Sequence, residues 1–377
     1  MRTGEFVLRR RFWLAGLLAA LAGLTSRQTP LDVQAFADLG RLVLAGRLDE
    51  AYTGTFNQAG PLQLLISRLV LIGGHASIPS ALVRVAFDLA LTLGAMAACR
   101  GRPVRQIVVA VLALLWLLGP TPWSGHPAEV TIALLWAYAI GLHRKERPLA
   151  AAVALGVSVM IAPIGVLGFP CLLAVTGPLR AIRTSLVAAG VAVAGYLPFV
   201  LSGQFGMLGH VWPVSERTLP WLLGMHEVTW ATRLGQAVLV AGGCALVAYL
   251  LRGRLVAFAA APLAAAALRI ITDPQIFDYY WLPVSVSAVL LIALLPDDFP
   301  MWRQVLLVVI GYVTVMAATT DQAGLGAFVC LAGYLLAAVP VERLLDGKRL
   351  IVRGKPAYLA PSLCRPLPAD SMRCRRQ

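Results

Sequence analysis

Charge is scarce in this chain. Of 377 residues only 13% are Asp, Glu, Lys or Arg, while 59% are hydrophobic and the mean hydropathy is +0.78. A soluble protein of this length needs far more polar surface, so that class is excluded. Polar low-complexity tracts are missing too: the 24 Pro and 34 Gly are scattered among apolar runs, which excludes a disordered chain. There is no P-loop or Walker sequence, no G-x-S-x-G elbow and no H-E-x-x-H, so ATP-driven transport, serine-type hydrolysis and intramembrane zinc proteolysis lack their parts. Cysteine is rare as well. Cys99, Cys171, Cys244 and Cys330 fall in or beside apolar segments and Cys364 and Cys374 near the C-terminus, which predicts neither disulfides nor a cysteine metal cluster.

What the chain has in abundance is apolar segments of membrane length. A bilayer core of about 30 Å needs roughly 20 apolar helical residues, fewer where a helix is packed inside protein. By that measure the fold class is all-α, a polytopic transmembrane protein of about 12 spans. They are predicted near 12–25, 80–98, 106–119, 127–142, 149–161, 163–176, 184–201, 232–251, 255–271, 280–295, 305–318 and 325–341. The stretch 61–73 is too short and carries Arg68, so it reads as a re-entrant or interfacial half-helix. Residues 1–345 form the transmembrane domain, with an outer loop at 26–60. Residues 346–377 form a basic, Pro-rich tail, expected to lie disordered on anionic lipid at the cytoplasmic face.

The net charge of +14 first hints at nucleic acid, but the placement of the charges argues otherwise. With twelve crossings both termini are cytoplasmic, and 24 of the 32 Lys and Arg fall on the inside, as the positive-inside rule requires. The expected location is therefore the plasma membrane, with membrane lipids and not nucleic acid as surroundings. The N-terminal RRR and apolar run resemble a signal peptide, but without a convincing cleavage site an uncleaved first helix is expected. Segment 149–176 decides the topology. Two short spans meet at Met160–Pro163, and merging them would move Arg180, Arg183, Arg252 and Arg254 outside.

The other ionisable residues gather at the outer half, where charge at membrane depth needs a reason. Arg68, Arg84, Asp88, His126, Glu129, Arg233, Arg269, Asp273 and Asp278 all map there, which points to a cavity open to the outer face. In the first outer loop Leu31, Ala35, Phe36, Leu39, Leu42 and Val43 recur at helical spacing, an amphipathic helix along the surface. Asp32 follows Pro30 at its start and serves either as a cap or as a catalytic carboxylate. His126 and Glu129 stand three apart at a helix start, at best half a metal site, and Glu129 alone fits a helix-dipole partner equally well. Segment 269–281, RIITDPQIFDYYW, is either an aromatic belt or a sugar and lipid-phosphate subsite in which Arg269 holds phosphate. Arg84 and Asp88 are four apart and fit a neutralising pair. Loop 202–231, with His210, Trp212, Glu216, Arg217, Trp221, His226 and Glu227, offers too many choices to rank.

These features, in this order, resemble the GT-C class of integral-membrane glycosyltransferases, particularly the polyprenyl-phosphate-sugar-dependent mannosyltransferase type. The likeness rests on a basic first span and an outer loop with D-x-x-x-F-x-x-x-G-x-x-x-x-x-G (Asp32, Phe36, Gly40, Gly46). It continues through Ala51-Tyr52, a half-helix introduced by Pro61, the turn GHPAE, and the DPQIFDYYW segment. The chain departs from the pattern at Gln58-Ala59-Gly60-Pro61, where Tyr-Pro-Pro is usual, and has Asp32 and Asp38 six apart instead of an adjacent acidic pair.

The resemblance implies transfer of a sugar, mannose favoured, from a polyprenyl-phosphate donor to a lipid or glycan acceptor at the outer face. Asp32 would be the base and Arg269 or Arg84 the phosphate partner. Asp38, Asn57, Gln58, His126, Glu129, Asp273, Gln275, Tyr279 and Tyr280 would line the sugar and acceptor sites. No cofactor is certain; a divalent cation, Mg2+ or Mn2+, is the one the chemistry could use. Two other functions compete: a transporter or flippase for a lipid-linked substrate, which would need polar residues through both membrane halves, and a catalytically inactive GT-C-like protein. The topology is tested with reporter fusions. A phosphatase active only outside the cytoplasm should stay silent when fused after residue 345 and be active within loop 202–231; the reverse pattern would invert the assignment.

Overall fold

The computed structural model describes residues 3–26, 31–55, 57–99, 101–116, 127–203, 205–275, 277–295, 300–318 and 332–333, all within one compact unit, Met1–Ala338. The last predicted span, 325–341, and the tail 346–377 lie outside the described residues, apart from 332 and 333. Among the described residues the secondary structure is helical except for a two-stranded antiparallel ladder, β1 (Trp212–Pro213) and β2 (Glu227–Val228).

In chain order the helices are α1 (Thr3–Thr25), α2 (Leu31–Leu44), α3 (Leu48–Ala51), α4 (Pro61–Val70), α5 (Ile78–Ala98), α6 (Pro103–Trp116), α7 (Pro127–Arg144) and α8 (Pro148–Ile161). A 3-10 helix, Pro163–Ala174, separates α8 from α9 (Pro178–Leu201). Then come α10 (Leu219–Leu222), α11 (Trp230–Leu250), α12 (Ala257–Thr272), a short 3-10 turn (Asp278–Trp281), α13 (Leu282–Ala293) and α14 (Met301–Ala318). Proline opens α4, α6, α7, α8 and α9, where its missing N–H costs nothing. Among the described residues three helices, α5, α9 and α11, are long and apolar enough to cross a membrane, and several shorter apolar helices accompany them. α9 and α11 turn Leu186, Val193, Leu197, Leu234, Val238 and Leu246 outward, the exterior of a membrane-associated protein.

The ends of the bundle can be told apart by their contacts. At one end Arg11 reaches Gln106 at 2.6 Å, Arg102 and Arg105 both donate to the Leu295 carbonyl, and the Gly253 N–H meets the Ala174 carbonyl at 2.8 Å. That end carries the basic clusters. At the other, Gly60 donates to the Ile161 carbonyl at 2.8 Å, and Arg84 on α5 donates to the Gly23 carbonyl near the end of α1 at 3.2 Å.

The half-helix α4 starts beside Ile161, and Ser80 at the start of α5 donates to the Val70 carbonyl at its other end. It therefore returns to the end it came from. α8 and the following 3-10 helix form a hairpin: Ser158 lies against Gly165, and Ala162 between them is extended. Two separate elements thus stand where a single merged span was the alternative.

The second arm of that hairpin departs from the sequence expectation in kind. It is 3-10 over 12 residues, with Pro170 inside. Runs beyond four residues are uncommon, and this one has a local cause. Trp136 on α7 donates to the Gly165 carbonyl at 2.9 Å, and a Cβ at Gly168 would fall 2.3 Å from its indole. The close ring leaves room only for glycine.

Glycine also sets the approach of α2 and α4 to their neighbours. A Cβ at Gly40 would lie 2.3 Å from the Leu64 carbonyl oxygen, and one at Gly60 would lie 2.1 Å from that of Met160. Gly60→Ala should therefore force α4 away from the α8 hairpin. Overpacking of this kind costs about 1–3 kcal/mol. Thermal melts in detergent check it, with Gly94→Ala, which meets nothing within 4 Å, as a neutral control.

Candidate functional site

A cavity of about 470 Å³ opens at the end of the bundle where Gly60 meets Ile161. It is assembled from segments far apart in sequence. The start of α2 contributes Asp32 and Phe36, the approach to α4 contributes Gln58 and Gln63, and the first turn of α7 contributes Glu129. The start of α11 adds Trp230, Arg233 and Gln236, the end of α12 adds Arg269, and the 3-10 turn adds Tyr279 and Tyr280. The tip of the α8 hairpin forms the opposite wall with Ala162, Pro163, Ile164, Val166 and Leu167, and Leu234 and Ala237 of α11 extend that apolar side. Val166 and Leu234 on this wall are exposed.

The polar side is a chain of alternating charges. Arg269 donates to Glu129 at 2.9 Å, and its guanidinium lies 4.1 Å from the Tyr280 ring centroid. Its Nε stands 3.8 Å from Asp273. Asp273 accepts two bonds from Arg233, at 3.0 and 3.3 Å, and Arg233 stacks 4.6 Å from the Trp212 ring centroid while donating to Gln236 at 2.6 Å. Buried ions need such pairing, and fork geometry explains why both cations are arginine. Asp32 is half-buried, accepts from the Val33 N–H at 2.9 Å, and faces the cavity. One side chain thus satisfies a first-turn donor and presents a carboxylate.

The loop between α9 and α11 closes the site from above. Pairing of β1 with β2 brings Trp212 over Trp230 at 5.1 Å between centroids, and Ser215 donates to the Pro274 carbonyl at 2.8 Å. Burial, with Arg233 nearby, holds the His210 imidazole below its ordinary value. Tyr52 anchors the first outer segment: its hydroxyl donates to the Ala59 carbonyl at 2.8 Å, its ring packs edge-on against Phe199, and burial pushes its phenol above the usual range.

Of the residues singled out from sequence, Asp32, Gln58, Glu129, Arg269, Tyr279 and Tyr280 meet on this cavity. The others stand elsewhere. Arg84 is buried in α5 and donates to the Gly23 and His75 carbonyls and the Ser80 hydroxyl, tying α1 to α5 instead of facing the cavity. No ion pair forms between Arg84 and Asp88, whose carboxylate has no hydrogen-bond partner. Asp38 is exposed and pairs with Arg41 at 3.3 Å, on the face of α2 turned away from α4. Asn57 is buried and spent on the Ala51 carbonyl and the Ala59 N–H. Asp273 sits behind the lining and orients the two arginines, and Gln275 donates its backbone N–H to Asp273. His126 lies outside the described residues.

Among the described residues no three His, Cys, Asp or Glu side chains gather closely enough to hold a metal ion. Arg233, placed in the outer half from sequence, lines the cavity as well; Gln63, Gln236 and Trp230 were not singled out, and Trp212 stood unranked among the loop residues. Arg233 and Gln236, three apart at a helix start, were the one legible signal; the tryptophans meet only through the β1–β2 pairing.

No protein-family model, curated protein or solved structure matches this chain.

Asp273 is the shared counter-charge, so its removal should leave buried Arg269 and half-buried Arg233 short of a partner. Asp273→Ala is expected to cost about 3–5 kcal/mol, typical of a broken buried pair. Asp38→Ala, at an exposed pair, should cost under about 1 kcal/mol. Paired melts of the two variants check the contrast.

Proposed function

We propose that the chain is a GT-C-like glycosyltransferase that moves a sugar, mannose favoured, from a polyprenyl-phosphate donor to a lipid or glycan acceptor at the outer membrane face. One observation carries the reading: two carboxylates, two arginines and a tyrosine pair converge on a single cavity whose other residues are three glutamines and an apolar, aromatic wall. A donor of this type has three chemically distinct parts, and the cavity offers a surface for each. The apolar wall suits a polyprenyl chain, the arginines a phosphate, and the aromatic and amide side chains a sugar ring.

In the reaction the acceptor hydroxyl attacks the anomeric carbon. Its proton passes to Asp32, the new glycosidic C–O bond forms, and the bond from that carbon to the phosphate oxygen breaks, with its electron pair leaving on the phosphate. Arg233 and Arg269 supply the field that stabilises the leaving group, prealigned by Asp273 and Glu129. No nucleotide is required, in keeping with the missing P-loop.

The same reading sets the finer topology. Twelve crossings put the cavity end outside and the basic end in the cytoplasm of a plasma-membrane protein. A transporter would need a polar path onward to the basic end. The helix beneath the cavity, α12, is instead buried alanine, proline and leucine from Ala257 to Ala267, interrupted only by half-buried Phe258.

Asp32→Asn should keep the melting temperature of the parent protein and lower sugar transfer from polyprenyl-phosphate mannose in membrane vesicles by about 10²–10⁴-fold, the range for losing a general base. Transfer at the parent rate would remove Asp32 from the mechanism. Movement of the lipid-linked sugar across the bilayer with no new glycosidic bond would favour the transporter.

A further inference from the structure

Outside the cavity, one group has no account in the proposed reaction. Asp88 lies on α5, fully buried, and neither carboxylate oxygen has a hydrogen-bond partner. One turn on, Thr92 is equally buried and its hydroxyl is also unpartnered. On other helices Thr25, Thr131 and Thr272 donate back to the carbonyl four residues earlier, a common resting place of a threonine hydroxyl in a helix. Thr92 does not. Residues four apart share a helix face, so three unsatisfied oxygens are turned to the same side of α5.

That side is a core of apolar side chains. Leu91 packs there with Ala19 of α1, Ala113 of α6, and Leu282 and Val286 of α13, with Phe87 and Leu89 at its margin. α5 packs against α1, α4, α6 and α13. The charged residues on these helices are Glu5, Arg9, Arg10 and Arg11 of α1, Arg68 of α4 and Arg105 of α6; α7, whose Val130 and Ala133 join the Leu91 cluster, carries Glu129 at its start and His143 and Arg144 at its end, and Tyr279 packs at the cluster margin. Those of α1 and α6 sit in the first turns, at the basic end. The charge whose field reaches Asp88 is that of Arg84, one turn away, and Arg84 is bonded instead to Gly23, His75 and Ser80.

A lone carboxylate cannot stay ionised and empty in such a place, because burying an uncompensated charge is among the largest penalties in folding. What is missing is a positive charge: the carboxylate can only accept, and the Thr92 hydroxyl, a donor one turn away, does not bond to it. We propose that Asp88 and Thr92 bind one small monovalent cation, H⁺ or Na⁺, in the core around α5. With a proton, the carboxyl is neutral and the buried charge is gone. With Na⁺, the carboxylate and hydroxyl supply hard oxygen ligands. A single carboxylate neutralises one positive charge, and Ca²⁺ or Mg²⁺ asks for more. When the cation leaves, Asp88 becomes the nearest counter-charge to Arg84, and the contact that ties the end of α1 competes with it. The inference stands on the packing of α5 and does not depend on glycosyl transfer.

The test uses the full-length protein in detergent. Melting temperature is measured at constant ionic strength in Na⁺ against K⁺ or choline, and the infrared spectrum is searched for the carbonyl band of a protonated carboxyl at neutral and alkaline pH. A Na⁺-specific rise in melting temperature, lost in Asp88→Asn and weakened in Thr92→Val, assigns the site to sodium. A protonated band that is independent of Na⁺, absent in Asp88→Asn and shifted in Thr92→Val, assigns it to a proton. Wild-type protein with neither signal overturns the proposal, and that result needs no variant to fold. A band or Na⁺ effect that persists in Asp88→Asn also overturns it, because the signal then belongs to another carboxyl.

Discussion

The cavity end of this protein depends on one carboxylate. Asp273 stands 1% exposed between Arg233 and Arg269, and through them it reaches α11, the end of α12 and, by way of Glu129, the start of α7. Remove the charge, and Arg233 loses its carboxylate while Arg269 is left with Glu129 alone. Keep it, and neither arginine is free to swing toward solvent, so both planar forks are held in fixed orientation. Tyr280 beneath Arg269 and Trp212 against Arg233 add aromatic faces to the same two cations. The cavity is thus ordered before any ligand arrives, which is the condition for electrostatic stabilisation of a developing charge.

A second constraint is steric. Gly40 and Gly60 let α2 and α4 come within backbone contact of their neighbours, and only because of that approach do Asp32, Phe36 and Gln63 face the α8 hairpin. The outer segment is then pinned from above. Tyr52 sits in a ring of Phe199, Phe205 and the Ala59 carbonyl, and Gly206 donates to the Tyr52 carbonyl at 2.7 Å. Buried charge fixes one side of the cavity and buried backbone contact the other.

Much of this was legible in the sequence, and the physical reason differs from element to element. The apolar runs gave most helices within a few residues, because length and hydropathy are local properties. The short stretch 61–73 read as a half-helix because Arg68 and its length ruled out a span, and α4 does return to the end where it starts. The pattern of Asp32, Phe36, Gly40 and Gly46 combines two cavity residues, a close approach and a left-handed helix end at φ +75. Arg84, Asp38 and Asn57 had the right chemistry at the right depth but point elsewhere, since direction depends on which neighbour a helix face meets. The clustering of Trp212, Trp230 and Arg233 could not be read at all, because a two-residue ladder creates it and so short a ladder leaves no periodic trace.

The 3-10 arm after α8 has its own consequence. At three residues per turn and about 2.0 Å per residue, its 12 residues reach about 24 Å, the span of roughly 16 residues of α-helix. Every third side chain is eclipsed, and Gly165, Gly168, Cys171 and Ala174 fall in one line of small, buried groups, the first three of them against Trp136. The chain here keeps a triplet phase. Adding or losing one residue would rotate the line of small groups away from the indole by a third of a turn, whereas a change of three would only slide it along. In evolutionary terms this segment counts in threes, a rhythm that neither helical nor strand periodicity would detect.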